Sequence, residues 1–260
     1  MHIVKSHLIY TLCVILCVVS LTALRASENA EITVISDISN AGRLIQHPTV
    51  KNPTYYYPII GGYKEMGSLV KNERRPNQKE IVHRLAVELA KQGYYVINKT
   101  TPPPSIILLL NWGYINPDII DSGAPSDPDS STPTQTFINQ NEMLALVGGS
   151  TLRNLELNYE KEDVMQAAEQ NRYFLSVLAY DYTIYAKSHK KVMLWHAKVS
   201  IPTAGVSLEE IMPALIKAGG SQFGIETTKP KIIKTPITRE GKVEIGTPTV
   251  KDYNDSQLSK

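Results

Sequence analysis

The sequence predicts an α/β or α+β domain built on a single mixed β-sheet of about four to six strands flanked by helices. Three observations carry that expectation. Ser105–Leu110 (SIILLL) is apolar on both faces, the mark of a strand covered on both sides. Just upstream, Ile81, Val82, Leu85, Ala86, Leu89 and Ala90 recur at helical spacing. Arg172–Tyr185 and the run Val192–Ile201 are long and apolar-rich. The polar turn Lys187–Lys191 separates them, which predicts a hairpin at the centre of the sheet.

The chain has 260 residues and opens on Lys5 and an apolar run from Leu8 to Ala23, followed by Arg25-Ala26-Ser27-Glu28. A membrane span needs roughly 20 apolar residues, so this run is short for an anchor and suits a cleaved export signal. A signal peptide over 1–26 is expected, with cleavage near Ala23, Ala26 or Ala30; an uncleaved anchor is the alternative reading. The mature protein is then exported, periplasmic or extracellular, with no stable membrane span. Both cysteines, Cys13 and Cys17, lie inside the run, and Val14-Ile15-Leu16 are not the small residues that precede a lipid-attachment cysteine. Without the leader, the body has no cysteine for disulfides, thiol catalysis or metal ligation. Lys5 and Arg25 leave with it, so the formal charge of +2 falls to zero. Bulk charge therefore gives no attraction for nucleic acid.

Residues 27–76 are expected to form an extended N-terminal arm, or a first strand with a loop. Glu31–Ser39 alternates as a strand does. Asn52–Tyr63 sets three tyrosines between prolines, and Gly61-Gly62 permits a turn. The core domain is placed at 77–226. Asn77 caps the first helix with Glu80 at the reciprocal position, and Gly93 stops it. Tyr94–Ile97 is a strand, Thr101–Pro104 turns the chain, and Ser105–Leu110 follows. Asp118–Thr134 is rich in Asp, Ser, Pro and Gly and reads as a long surface loop.

Phe137–Val147 and Glu160–Gln170 are helix candidates. Arg172–Tyr185 is a strand that continues into a turn or short helix. In the next strand Met193, Trp195, Ala197 and Val199 share one face, and Val192, Leu194, His196 and Lys198 the other. Ser207 caps the last helix with Glu210, and Val206 and Ile211 form a staple. Pro213 inside it predicts a kink or a later start. Residues 227–260 are expected to hold a C-terminal strand, at Gly241–Gly246, and a disordered tail.

Chemistry-bearing motifs are sparse. His47, His83, His189 and His196 form no H-E-x-x-H pair, and His196, in mid-strand, is the one candidate. Carboxylates cluster at Asp121–Asp129 but miss the twelve-residue calcium pattern, so no metal is expected, and no cofactor. There is no phosphate loop, dinucleotide fingerprint or G-x-S-x-G elbow. Aromatic rings beside Gly or Pro are more suggestive. Rings in loops line grooves for a protein, peptide or glycan; the plainer alternative is that they cover the ends of the sheet. The binding candidates are Tyr56, Tyr63, Trp112, Tyr114, Asp181 and His196.

Lys91–Tyr95 (KQGYY), Ser105–Tyr114 (SIILLLNWGY) and Lys190–Ser200 (KKVMLWHAKVS) carry a resemblance over Gln78 to about Gly220. The chain resembles uncharacterised exported α/β proteins of Gram-negative bacteria and is distantly similar to a domain of unknown function in envelope lipoproteins. In that domain a helix ending at a glycine leads into a sheet. A late strand carries K-x-x-x-W, matched by Lys191 to Trp195. The chain departs from it in lacking a lipidation cysteine. The resemblance implies an envelope setting and no established activity or catalytic residues. The resulting expectation is a non-enzymatic exported binding or envelope-associated protein. The alternative is a hydrolase of unidentified type using Asp181 and His196.

Overall fold

Strands and helices alternate through most of the chain. The strands are β1 (Glu28–Ile38), β2 (Thr54–Met66), β3 (Tyr94–Val96), β4 (Ile106–Ile115), β5 (Asp118–Pro125), β6 (Pro133–Ile138), β7 (Arg172–Asp181), β8 (Met193–Pro202) and β9 (Lys231–Ile237). The helices are α1 (Asn40–Arg43), α2 (Gln78–Lys91), α3 (Gln140–Val147), α4 (Tyr159–Ala168), α5 (Tyr182–Ser188) and α6 (Leu208–Gly220). This computed structural model describes residues 28–67, 74–125, 133–149 and 159–237. The expected leader 1–26, the Gly241–Gly246 strand and the tail beyond it lie outside the described residues.

Seven strands form one mixed sheet in the order β3-β2-β4-β7-β8-β1-β9, and β5 and β6 form a separate two-stranded ladder. The expected α/β sheet flanked by helices is present, but with seven strands rather than four to six. β2 runs parallel to both β3 and β4, which requires the crossover that α2 supplies. All other neighbours are antiparallel. β1 pairs with β8 on one side and β9 on the other, so the first and last described strands are neighbours.

Part of the extra strand content was masked by composition. β9 is lysine-rich and carries Pro236, which suits an edge strand and reads like a tail. Within the expected loop Asp118–Thr134, the described residues Asp118–Pro125 and Pro133–Thr134 are corrected to strand, in β5 and β6; residues 126–132 lie outside the described residues. Gly123 lies within a register irregularity between Asp121 and Pro125 that does not prevent pairing.

The helix ends follow their side-chain chemistry. Asn77 Oδ1 accepts from the Lys79 N–H at 2.9 Å, while Glu80 turns to Arg84. Gly93 leaves α2 at φ +86°, where a side chain would be strained. Ser207 and Glu210 complete a reciprocal box on α6. Pro213 lies within α6, which still starts at Leu208, so the expected later start is corrected. The carbonyl deprived of a partner is that of Glu209, an exposed residue of the first turn.

α2 and α6 cover the inner face of the sheet. Leu85 and Leu89 of α2 and Ile211 and Leu215 of α6 belong to one core with Leu108, Leu110, Trp112, Leu175 and Val199. On the outer face a smaller cluster forms where Met143, Leu146 and Val147 of α3 and Ala168 of α4 meet Ile115 and Phe174. Arg172 is buried beneath these helices. Its guanidinium donates to Ser200 Oγ (3.0 Å), Thr33 Oγ1 (3.0 Å) and the Ala167 carbonyl (3.4 Å), while Ser200 Oγ donates to the Leu146 carbonyl. Burial lowers its pKa to about 10, so it stays charged at neutral pH. The acceptors include carbonyls in the last turns of two helices, where the backbone dipole is negative.

Leu108→Ala is expected to lower the unfolding free energy by about 2–5 kcal/mol. Ser207→Ala should cost about 1 kcal/mol. Urea denaturation reads both, and a negligible loss at Leu108 would contradict its place at the centre of the core.

Candidate functional site

The outer face of the sheet is covered at one end only. α3 and α4 sit over the end near Arg172 and Phe174. At the other end no described helix packs across the strands, and α5 borders the face through Tyr185. Ile59, Ile107, Leu109, Tyr180, Tyr185 and Lys191 line a cavity of about 230 Å³ there. Tyr57 and Ile59 are 47% and 42% exposed.

A polar row interrupts this aliphatic floor. Asn111 stands opposite Ser176, and Ser176 opposite Lys198. One rung along, His196 stands opposite Leu178 on one side and Asp37 on the other. Register partners share a face, so Asn111, Ser176, His196, Lys198 and Asp37 converge from four strands. Two diagonal bonds tie the row together. Ser176 Oγ lies 2.8 Å from His196 Nε2, and Lys198 Nζ donates to Asp37 Oδ2 at 2.7 Å. The Asn111 amide lies over Gly61, where a Cβ would sit 2.0 Å from its oxygen, so the row depends on that glycine.

Burial lowers the His196 pKa to about 4; the Lys198 charge adds to the shift and Asp37 opposes it. The ring is therefore neutral at neutral pH. Ser176 can donate to Nε2 while Nδ1 carries the proton.

A serine beside a histidine invites comparison with nucleophilic catalysis, but three features oppose it. Asp37 is engaged by Lys198, not by the far ring nitrogen. A base with a pKa near 4 is poorly matched to proton abstraction at neutral pH. Ser176 lies in mid-strand between β4 and β8, so the backbone N–H groups around it belong to ladders and none is free to hold an oxyanion. What the arrangement offers is a compact set of donors and acceptors within an apolar surface.

The sequence-derived candidates scatter. Tyr56, Trp112 and Tyr114 are interior, each 3% exposed or less. Burial raises the Tyr56 hydroxyl to about 12. Trp112, Gly113 and Tyr114 lie in a strand and not a loop: β4 runs past the expected Leu110 to Ile115, and Trp112 and Tyr114 continue the inward alternation of Leu108 and Leu110. Tyr63 is half-buried, with the Arg75 guanidinium 4.8 Å from its ring centre. Asp181 caps α5, accepting from Ile184 N (2.9 Å) and Thr183 Oγ1 (2.6 Å).

Asp181 is three residues along β7 from Leu178, the register partner of His196, and so lies on the opposite side of the sheet. The two are not brought together. Of the six candidates only His196 joins the row. Ser176, Lys198, Asn111 and Asp37 were missed, although Ser176 and Lys198 stand out as polar residues within long apolar strands. The expected face pattern of β8 is corrected at its start. A register shift opposite Ala179 and Tyr180 turns Leu194 into the core beside Trp195.

Among the described residues no three His, Cys, Asp or Glu side chains gather as a metal would need. Part of the Asp121–Asp129 stretch lies outside them. No described helix is long and apolar enough to cross a membrane.

No family model matches the chain, and no curated protein does. Among solved structures it is similar to a PelC dodecamer, a single-substitution variant, from Paraburkholderia phytofirmans. The identity is 8%, over 75% of this chain and 97% of that one, with a TM-score of 0.34. A likeness of that size carries no argument about this chain.

The buried histidine makes stability pH-dependent. The unfolded chain takes up a proton near pH 6.5, whereas folded His196 resists until about 4. Its contribution is therefore complete above pH 6.5 and is lost as pH falls towards 4, by up to about 3 kcal/mol. Thermal melts at stepped pH should show this decline, and His196→Gln should flatten it. An unchanged slope in the variant would assign the decline to other groups.

Proposed function

We propose that this chain is a non-enzymatic, exported binding protein of the bacterial envelope, and that the open end of its outer sheet face holds an apolar segment of a protein or peptide partner. The observation that supports this most is the pairing of an aliphatic surface, exposed at Ile59 and half-buried at Leu109 over the buried Ile107, with an internally bonded polar row. Uncovered apolar surface of this kind favours association. The tyrosines at its margins add rigid contact area at small entropic cost. Asp37, partly exposed at the margin of the row, offers an acceptor to the main chain of an extended segment. The leader-like run at Leu8–Ala23 supports export. The hydrolase alternative, using Asp181 and His196, is disfavoured because the two lie on opposite sides of the sheet, and the Ser176–His196 contact has a poorly matched base.

Two measurements test this reading. The apolar dye 8-anilinonaphthalene-1-sulfonate should fluoresce on the chain, and Ile59→Asp should reduce that signal several-fold without altering the circular dichroism. Hydrolysis of p-nitrophenyl acetate should match the uncatalysed rate and be indifferent to Ser176→Ala; turnover lost in that variant would favour the enzyme. Amino-terminal sequencing of the chain from cell fractions tests export. An intact leader on cytosolic protein would overturn that part.

A further inference from the structure

We infer that a second cavity, between the segment after α1 and the end of the inner sheet face, binds a small aliphatic molecule headed by a carboxylate. This site is separate from the open outer face and does not rest on it. The cavity measures about 350 Å³, within the range of small-molecule sites. Its floor is made of core residues: Tyr94, Ile106, Leu194 and Trp195. Ile45 and His47, from the covering segment, form the facing wall.

The cover is fixed at both ends, so the space exists before any ligand arrives. At one end the Ser39 N–H donates to the Leu194 carbonyl at 2.9 Å. At the other, the His47 ring nitrogens lie 2.8 Å from the Pro48 carbonyl and 3.3 Å from the Phe223 carbonyl, and the ring stands edge-on to Tyr94 at 6.0 Å. A preformed site avoids part of the ordering cost of binding.

The chemistry of the walls selects the ligand. Tyr94 and Trp195 pack at 5.6 Å, with the Trp195 indole N–H directed at the Tyr94 hydroxyl oxygen. Ile106 and Leu194 give the rest of the floor as carbon, which suits an alkyl chain. Among the described residues, Arg43 is the one permanently charged side chain lining the cavity, and no carboxylate lines it. Arg43 is bound outside by Glu226, with both side chains partly exposed. Exposed pairs of this kind contribute little stability, so a ligand carboxylate can replace Glu226 on the guanidinium.

Decanoate and decanol, below their aggregation limits, are the probes. The chain has two tryptophans, so Trp112→Phe leaves Trp195 to report by fluorescence. Calorimetry on the unaltered chain gives the same affinities if that variant folds poorly. Decanoate should bind saturably, one molecule per chain, and about threefold more tightly than decanol. Arg43→Gln should remove that preference by weakening decanoate alone. Ile45→Glu, at a half-exposed wall position, should weaken decanoate about tenfold or more, and Ile59→Asp should leave it unchanged. Absence of saturable decanoate binding, equal binding in Arg43→Gln, or loss in Ile59→Asp but not in Ile45→Glu would each overturn the proposal.

Discussion

Strand β4 imposes the constraint from which the architecture follows. Its side chains are apolar on both faces, and each fully buried aliphatic residue is worth about 2 kcal/mol only if water is excluded from it. Both sides of the sheet must therefore be covered at the centre. α2 and α6 meet this demand on the inner face along the strand. α3 and α4 meet it on the outer face only near Ile115 and Phe174. The candidate site is the remainder, the stretch around Ile59, Ile107 and Leu109 where no described helix packs across the same strand.

The outer face also shows three ways of placing an ionisable group out of water. Arg172 keeps its charge and surrounds it with two hydroxyls and one helix-end carbonyl. Lys198 pairs with Asp37. His196 gives its charge up, since neutralising an imidazole is far easier than neutralising a guanidinium. Each solution constrains its neighbours. Because Lys198 holds Asp37, no carboxylate orients His196, and a contact that resembles a catalytic pair becomes a static hydrogen bond.

Much of the fold was legible because it rests on local rules. The Asn77 and Ser207 caps, the Gly93 stop and the two-sided apolarity of Ser105–Leu110 all act within a few residues. The strands that escaped notice rest on pairing across the chain. Nothing within Lys231–Ile237 announces that β1 lies beside it. The site was less legible for the same reason. Ser176 and Asp37 become neighbours of His196 only through register, and one bulge at Leu194 moves side chains between faces. Tyr56, Trp112 and Tyr114 misled because an aromatic beside Gly or Pro is weighed as a loop residue, whereas strand alternation decides where it points.

The pairing of β1 with β9 has a kinetic consequence. A chain that emerges amino end first, from a ribosome or through a translocation pore, presents β1 long before its edge partner exists. Until the last described strand arrives, β1 has a bare hydrogen-bonding edge, open to mispairing with other chains. Completion of the sheet therefore waits for Lys231–Ile237, and a holding chaperone would act most usefully on β1 during that interval.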